Sequence, residues 1–72
     1  MCRNIRTLFN FEPVAPDEEI EVAALQYVRK VSGFTKPSQT NETAFNEAIE
    51  AIAAVTRDLV HNLTTTSPPK DR

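Results

Sequence analysis

The chain has 72 residues, a formal net charge of −2 and a single cysteine. That length allows one small domain, and chains with about 60 ordered residues bury only about 60% of the surface that the unfolded chain exposes. The charge lacks the basic excess of most nucleic-acid-binding domains, and one cysteine excludes an internal disulfide. No motif predicts a metal site or a cofactor, and no segment resembles a signal peptide or a membrane span, so we expect a cytoplasmic protein.

A first helix is predicted over residues 17–32. It begins with three acidic residues that complement the helix dipole and ends before Gly33, which suits a left-handed cap. Its apolar residues at helical spacing are Ile20, Ala23, Ala24, Tyr27, Val28 and Val31. This stripe is predicted to be core. Val22 and Leu25 lie outside it and form a second, smaller apolar patch.

The second predicted helix, over residues 40–63, is the longest element. Ser38, Thr40 or Asn41 could each cap its start with a side-chain oxygen, and the sequence does not choose among them. Its apolar residues at helical spacing are Phe45, Ala48, Ile49, Ile52, Val55, Leu59, Val60 and Leu63. The threonines that follow favour helix poorly, and Pro68-Pro69 forbids its continuation.

These two segments predict an all-α fold, an antiparallel helical hairpin of two main amphipathic helices. The apolar N-terminal segment is expected to pack across the hairpin, with a short helix around residues 5–9 as one option. We therefore expect a single small helical domain over residues 1–64 and a disordered polar tail over residues 65–72. No stretch alternates apolar and polar residues over the length of a strand.

Several short motifs resemble the small bacterial proteins of domain-of-unknown-function family 2277. The motifs are Met1-Cys2-Arg3-Asn4-Ile5, Leu8-Phe9-Asn10-Phe11-Glu12-Pro13, the run from Ala23 to Gly33, Lys36-Pro37-Ser38, Asn41-Glu42 and Ala44-Phe45. The resemblance covers residues 1–63 and continues in the Ser67-Pro68-Pro69 tail. It implies no reaction, ligand or partner. Pro16 stands where members of the family place a hydroxyl residue suited to capping.

Cys2 is the one candidate for catalysis. Removal of Met1 would expose an N-terminal cysteine whose amine and thiol could act as base and nucleophile, and the alternative is a small apolar thiol packed near the terminus. His61, the one histidine, lies on the polar side of the second helix and is expected to be solvated. The acidic cluster over residues 17–21 splays around a helix, so dipole complementation explains it better than a metal site.

A basic group near the loop between the helices is the candidate anion-binding site. Its members are Arg29, Lys30 and Lys36, joined by Arg3 and Arg6 if the N-terminal segment folds back. Such a group could hold a phosphate or a nucleic-acid backbone, with Phe34 available to stack on a base. Cations near a helix C-terminus also stabilise the helix, which is the structural alternative.

The first hypothesis for function is a non-catalytic protein-interaction or homo-oligomerising helical module. Its predicted surface consists of Val22, Leu25, Leu8, Phe9 and Phe11. The partner would be a second copy or another protein, because about 60 ordered residues leave a marginal core. Weak phosphate or nucleic-acid binding is the second hypothesis, and an N-terminal cysteine enzyme is the third. No cofactor and no membrane partner are expected.

Overall fold

The computed structural model describes residues 5–71 and places two antiparallel helices side by side. In chain order the elements are β1 (Phe11–Glu12), α1 (Asp17–Ser32), a 3₁₀ helix (Gln39–Asn41), α2 (Glu42–Asn62) and β2 (Lys70–Asp71). The predicted all-α helical hairpin is confirmed, and α1 has the predicted bounds. Helix α2 begins two residues later than predicted, because a 3₁₀ helix precedes it, and ends one residue earlier.

The ends of α1 follow the signals in the sequence. Pro16 is the N-cap residue, has an extended backbone and makes no side-chain capping bond, so the acidic first turn beginning at Asp17 complements the dipole instead. Gly33 follows Ser32 with φ 80° and donates its N–H to the Arg29 carbonyl at 2.9 Å. A Cβ at Gly33 would meet no atom within 4 Å, so the requirement for glycine is conformational and not steric.

The start of α2 uses no side-chain cap from its N-cap residue. Asn41 holds that position, but its side-chain amide donates to the Ser38 hydroxyl at 3.0 Å. The Asn41 N–H donates to the Ser38 carbonyl, also at 3.0 Å. The loop therefore folds onto itself before the helix begins, which explains why the cap could not be chosen from residue types alone.

The core lies in the seam between the helices. Ile20 and Ala24 of α1 pack against Ala53 of α2, and Leu8 of the N-terminal segment packs against the same cluster. Among the described residues the buried apolar side chains are Ala15, Ile20, Ala24, Val28, Phe45 and Ala53. The predicted packing of the N-terminal segment is confirmed by Leu8. Residues 5–8 have no regular structure, so the short helix considered there is wrong, since so few residues rarely offset the cost of helix nucleation.

The last residues lie beside the N-terminal segment. Strand β2 pairs in parallel with β1, with Lys70 opposite Phe11. Asn10, at φ 67°, donates its side-chain amide to the Pro68 carbonyl at 3.2 Å and accepts the Lys70 N–H at 2.9 Å. Two-residue strands are too short to show an alternating pattern, so the sequence predicts only a disordered tail here.

Candidate interaction surface

Part of each predicted apolar stripe remains outside the core. Tyr27 and Val31 of α1 are 49% and 69% exposed, and Leu59 of α2 is 56% exposed. The prediction that Tyr27 and Val31 belong to the core is therefore wrong. A hairpin of two helices buries one seam, while each apolar stripe is wide enough to face a third element as well.

Among the described residues, five of the eight large apolar side chains that are exposed line two grooves on one side of the hairpin. We call this surface the open face, and its members are Ala23, Tyr27, Val31, Phe34, Ala44, Ala48, Ile52, Leu59 and Leu63. The members are four residues apart on α1 and four or seven residues apart on α2, so those of each helix lie along one side of it. Apart from Phe34 and Ala44, these positions belong to the same predicted stripes as the buried ones, so the sequence does not distinguish them.

Two grooves cross the open face. The N-terminal groove, of about 320 Å³, lies between residues 5–9 and the side chains of Tyr27, Leu59 and Leu63. The loop groove, also of about 320 Å³, is lined by Val31, Phe34, Ala44 and Ala48 among others. Tyr27 and Ile52 line both grooves, so the two grooves meet at these side chains.

The open face carries almost no charge. Among residues 5–71, no charged side chain lines the loop groove, and Arg6 is the one charged residue that lines the N-terminal groove. The ion pair between Arg57 and Asp17, at 3.1 Å, is elsewhere, since Arg57 lies about 160° from Leu59 around α2. Both partners are solvent-accessible, so the pair contributes little to stability. A surface of this composition suits an apolar protein partner better than an anion.

The structure does not gather the predicted interaction residues into one patch. Leu8 contacts the core, and Phe9 and Phe11 are half-buried beside it. Val22 is 51% exposed on the outer side of α1, where it lines a pocket with Leu8. Leu25 is half-buried and lines none of the grooves described above. The N-terminal segment thus serves mainly as the cover of the hairpin core.

The basic residues are divided between the two ends of α1. Arg29 and Lys30 line a shallow pocket with Phe34, but the Arg29 Nε donates to the Thr35 carbonyl at 3.1 Å. Arg6 instead lines a pocket with Glu18 and Glu19. About 16 Å of helix separates these ends, so Arg6 does not join the loop. Lys36 is exposed, and Arg3 lies outside the described residues.

Other candidates for chemistry find no structural support. Cys2 lies outside the described residues, and His61 is exposed near the end of α2. Within residues 5–71 no cluster of histidine, cysteine or acidic side chains could hold a metal ion. No helix in that part of the chain has the length and hydropathy needed to cross a bilayer.

Comparisons with known proteins identify the family but assign no activity. Neither the curated proteins nor the solved structures contain a match to this chain. One family profile matches residues 1–72, which is the whole chain, and confirms the resemblance seen in the sequence motifs. The chain belongs to the family described as "Uncharacterized conserved protein (DUF2277)".

Proposed function

We propose that this chain is a cytoplasmic, non-catalytic protein-interaction module that docks a protein partner on its open face. The observation that carries the proposal is that the buried core is small while large apolar side chains remain exposed on the surface. Ile20 is the one large side chain, among the described residues, that is fully buried, whereas Tyr27, Leu59 and Leu63 are each about half exposed on one continuous face. Contiguous apolar surface on a small protein is typical of a binding site.

The accessible area of the chain supports the same function. The chain exposes 5681 Å², whereas a folded monomer of its mass of 8.1 kDa is expected to expose about 4,500 Å². Its radius of gyration is 13.8 Å, compared with about 11 Å for a compact chain of this length. This excess of about 1,200 Å² is summed over the whole chain, and it reflects an elongated hairpin with few of its large apolar side chains buried.

Phosphate or nucleic-acid binding by the basic loop has less support. Arg29 already donates to a loop carbonyl, and Arg6 lies at the far end of α1 beside two glutamates. Binding to a nucleic-acid backbone needs several cations along one surface, and here two remain near the loop, Lys30 and Lys36. The interaction function therefore rests on a larger and more continuous surface than its alternative.

Site-specific photo-cross-linking tests the proposed function. A photo-reactive phenylalanine analogue would replace Leu59 on the open face or, as the matched control, Glu50 about 180° away on the same helix. Both sites are exposed, so neither replacement disturbs the core. On irradiation of the native host's cells, we expect a discrete cross-linked product from position 59 and none from position 50, as seen by electrophoresis of the tagged full-length chain.

The control decides between a docking surface and random contact. If position 59 yields no product, or if both positions yield the same products, the open face is not a docking site and the proposal is wrong. The mass of a product specific to position 59 also reports on the partner's identity.

A further inference from the structure

We propose that the partner on the open face is a second copy of this chain, packed face to face in a two-fold symmetric dimer with antiparallel helices. This inference rests on the proposed function and adds the identity and orientation of the partner. A symmetric pair needs one surface that is complementary to itself after rotation. The open face meets this requirement in the sizes of its side chains and in its shape.

The side chains of α2 form a large end and a small end. Ala24 and Ala53 belong to the same core cluster, so they mark one level of the hairpin. Ala48 lies about 8 Å from that level toward the loop, and Leu59 lies about 9 Å from it in the other direction. A two-fold axis at this level, in the interface and perpendicular to the helices, places Ala48 of one copy opposite Leu59 of the other. Each exposed leucine then meets a small side chain.

The N-terminal segment borders only one half of the open face, which makes the two halves different in shape. Residues 5–9 border the N-terminal groove, whereas the loop groove has no residue of that segment in its lining. The same rotation brings the bordered half of one copy over the unbordered half of the other. Residues 5–9 of each copy would then face the loop groove of its partner, beside Val31 and Phe34.

The area and the charge of the face agree with self-association. Tyr27, Val31, Leu59 and Leu63 are each 45% to 69% exposed on this face, so a second copy would remove four large apolar side chains of each chain from water. Among residues 5–71 no charged side chain lines the loop groove and Arg6 is the one charge that lines the N-terminal groove, so two copies would bury few charges against each other. All neighbouring helices in the resulting four-helix arrangement run antiparallel, which suits their dipoles.

Disulfide trapping tests this arrangement. In a Cys2→Ser background, the double variant Ala48→Cys/Leu59→Cys places two thiols on the open face. Their backbones are about 16 Å apart within one chain, far beyond the roughly 7 Å that a disulfide spans, so a bridge can form only between chains. Under mild oxidation we expect a covalent dimer of twice the 8.1 kDa chain mass on a non-reducing gel. Each single variant is expected to form no covalent dimer on the same gel, since identical sites lie far apart across the axis.

The matched control is Glu50→Cys/His61→Cys, which has the same eleven-residue spacing on the polar side of α2. We expect no dimer from this pair. A lack of dimer from the open-face pair, or equal dimer from both pairs, would overturn the proposed arrangement. Sedimentation equilibrium of the unsubstituted chain provides a second measurement, and a mass of 8.1 kDa at all concentrations up to the high micromolar range would also overturn it.

The two proposals fail separately. If the photo-cross-linked product from position 59 is heavier than two chains and the open-face cysteines give no dimer, the partner is a different protein. The proposed function then stands, and the proposal that the partner is a second copy of this chain is wrong. If position 59 yields no product at all, both proposals fall together.

Discussion

Ile20→Ala is expected to lower the free energy of unfolding by about 2 to 5 kcal/mol. Ile20 is the most buried large side chain described, with 0% exposure, and it lies where α1, α2 and Leu8 meet. Its truncation removes apolar burial and leaves a cavity that Ala24 and Ala53 are too short to fill. A chain of 72 residues has a total stability of about 4 to 11 kcal/mol, so this loss could unfold a large fraction of the protein.

The measurement is thermal unfolding followed by far-ultraviolet circular dichroism at low protein concentration, where association contributes little. The matched control is Val22→Ala, a truncation of an exposed β-branched residue on the same helix. We expect that control to change stability by no more than about 0.5 kcal/mol. If Ile20→Ala were as stable as Val22→Ala, the core would not lie in the seam between the helices.

Leu59→Lys is expected to weaken self-association by at least about 100-fold, which corresponds to about 2.7 kcal/mol. A leucine buried in an interface contributes about 1.5 to 3 kcal/mol, and a two-fold symmetric interface loses this contribution at two sites. The lysine also places a charge against the apolar surface around Ala48 of the second copy. Because Leu59 is 56% exposed in the single chain, the fold of the monomer should tolerate the change.

Sedimentation equilibrium over a range of concentrations measures this effect, and circular dichroism shows whether the helices persist. Val14→Lys is the matched control, because Val14 is also an exposed apolar residue but lines neither groove of the open face. We expect the control to associate like the unsubstituted chain. Equal weakening by both substitutions would mean that any added charge weakens association, and it would contradict the placement of Leu59 in the interface.

The bounds of α1 could be predicted because local signals mark both of its ends. Acidic residues from Asp17 favour the start, and Gly33 adopts the left-handed conformation that a helix end requires. The start of α2 was harder to predict, since Ser38 and Asn41 bond to each other and neither signals where the 3₁₀ helix gives way to the α-helix. Local chemistry therefore predicts a helix end where a single residue type determines it, as Gly33 does at the end of α1.

The candidate surface could not be predicted because periodicity does not distinguish a buried position from an exposed one within the same stripe. Tyr27 and Val28 are adjacent in the sequence and both belong to the stripe of α1, yet Val28 is buried and Tyr27 is half exposed. The difference depends on which side of α1 faces α2, and that is a property of the packed hairpin. The contacts of Asn10 with Pro68 and Lys70 were likewise out of reach, because they join residues almost 60 positions apart.

Fluorescence quenching of Tyr27 as a function of protein concentration tests the central claim most directly. Tyr27 is the one tyrosine, the chain has no tryptophan, and this side chain lies where the two grooves of the open face join. We predict that acrylamide quenches Tyr27 strongly in dilute solution and much less at high micromolar concentration, where a second copy covers it. Quenching that stays strong over the whole range, in a chain whose mass remains 8.1 kDa, would contradict the account.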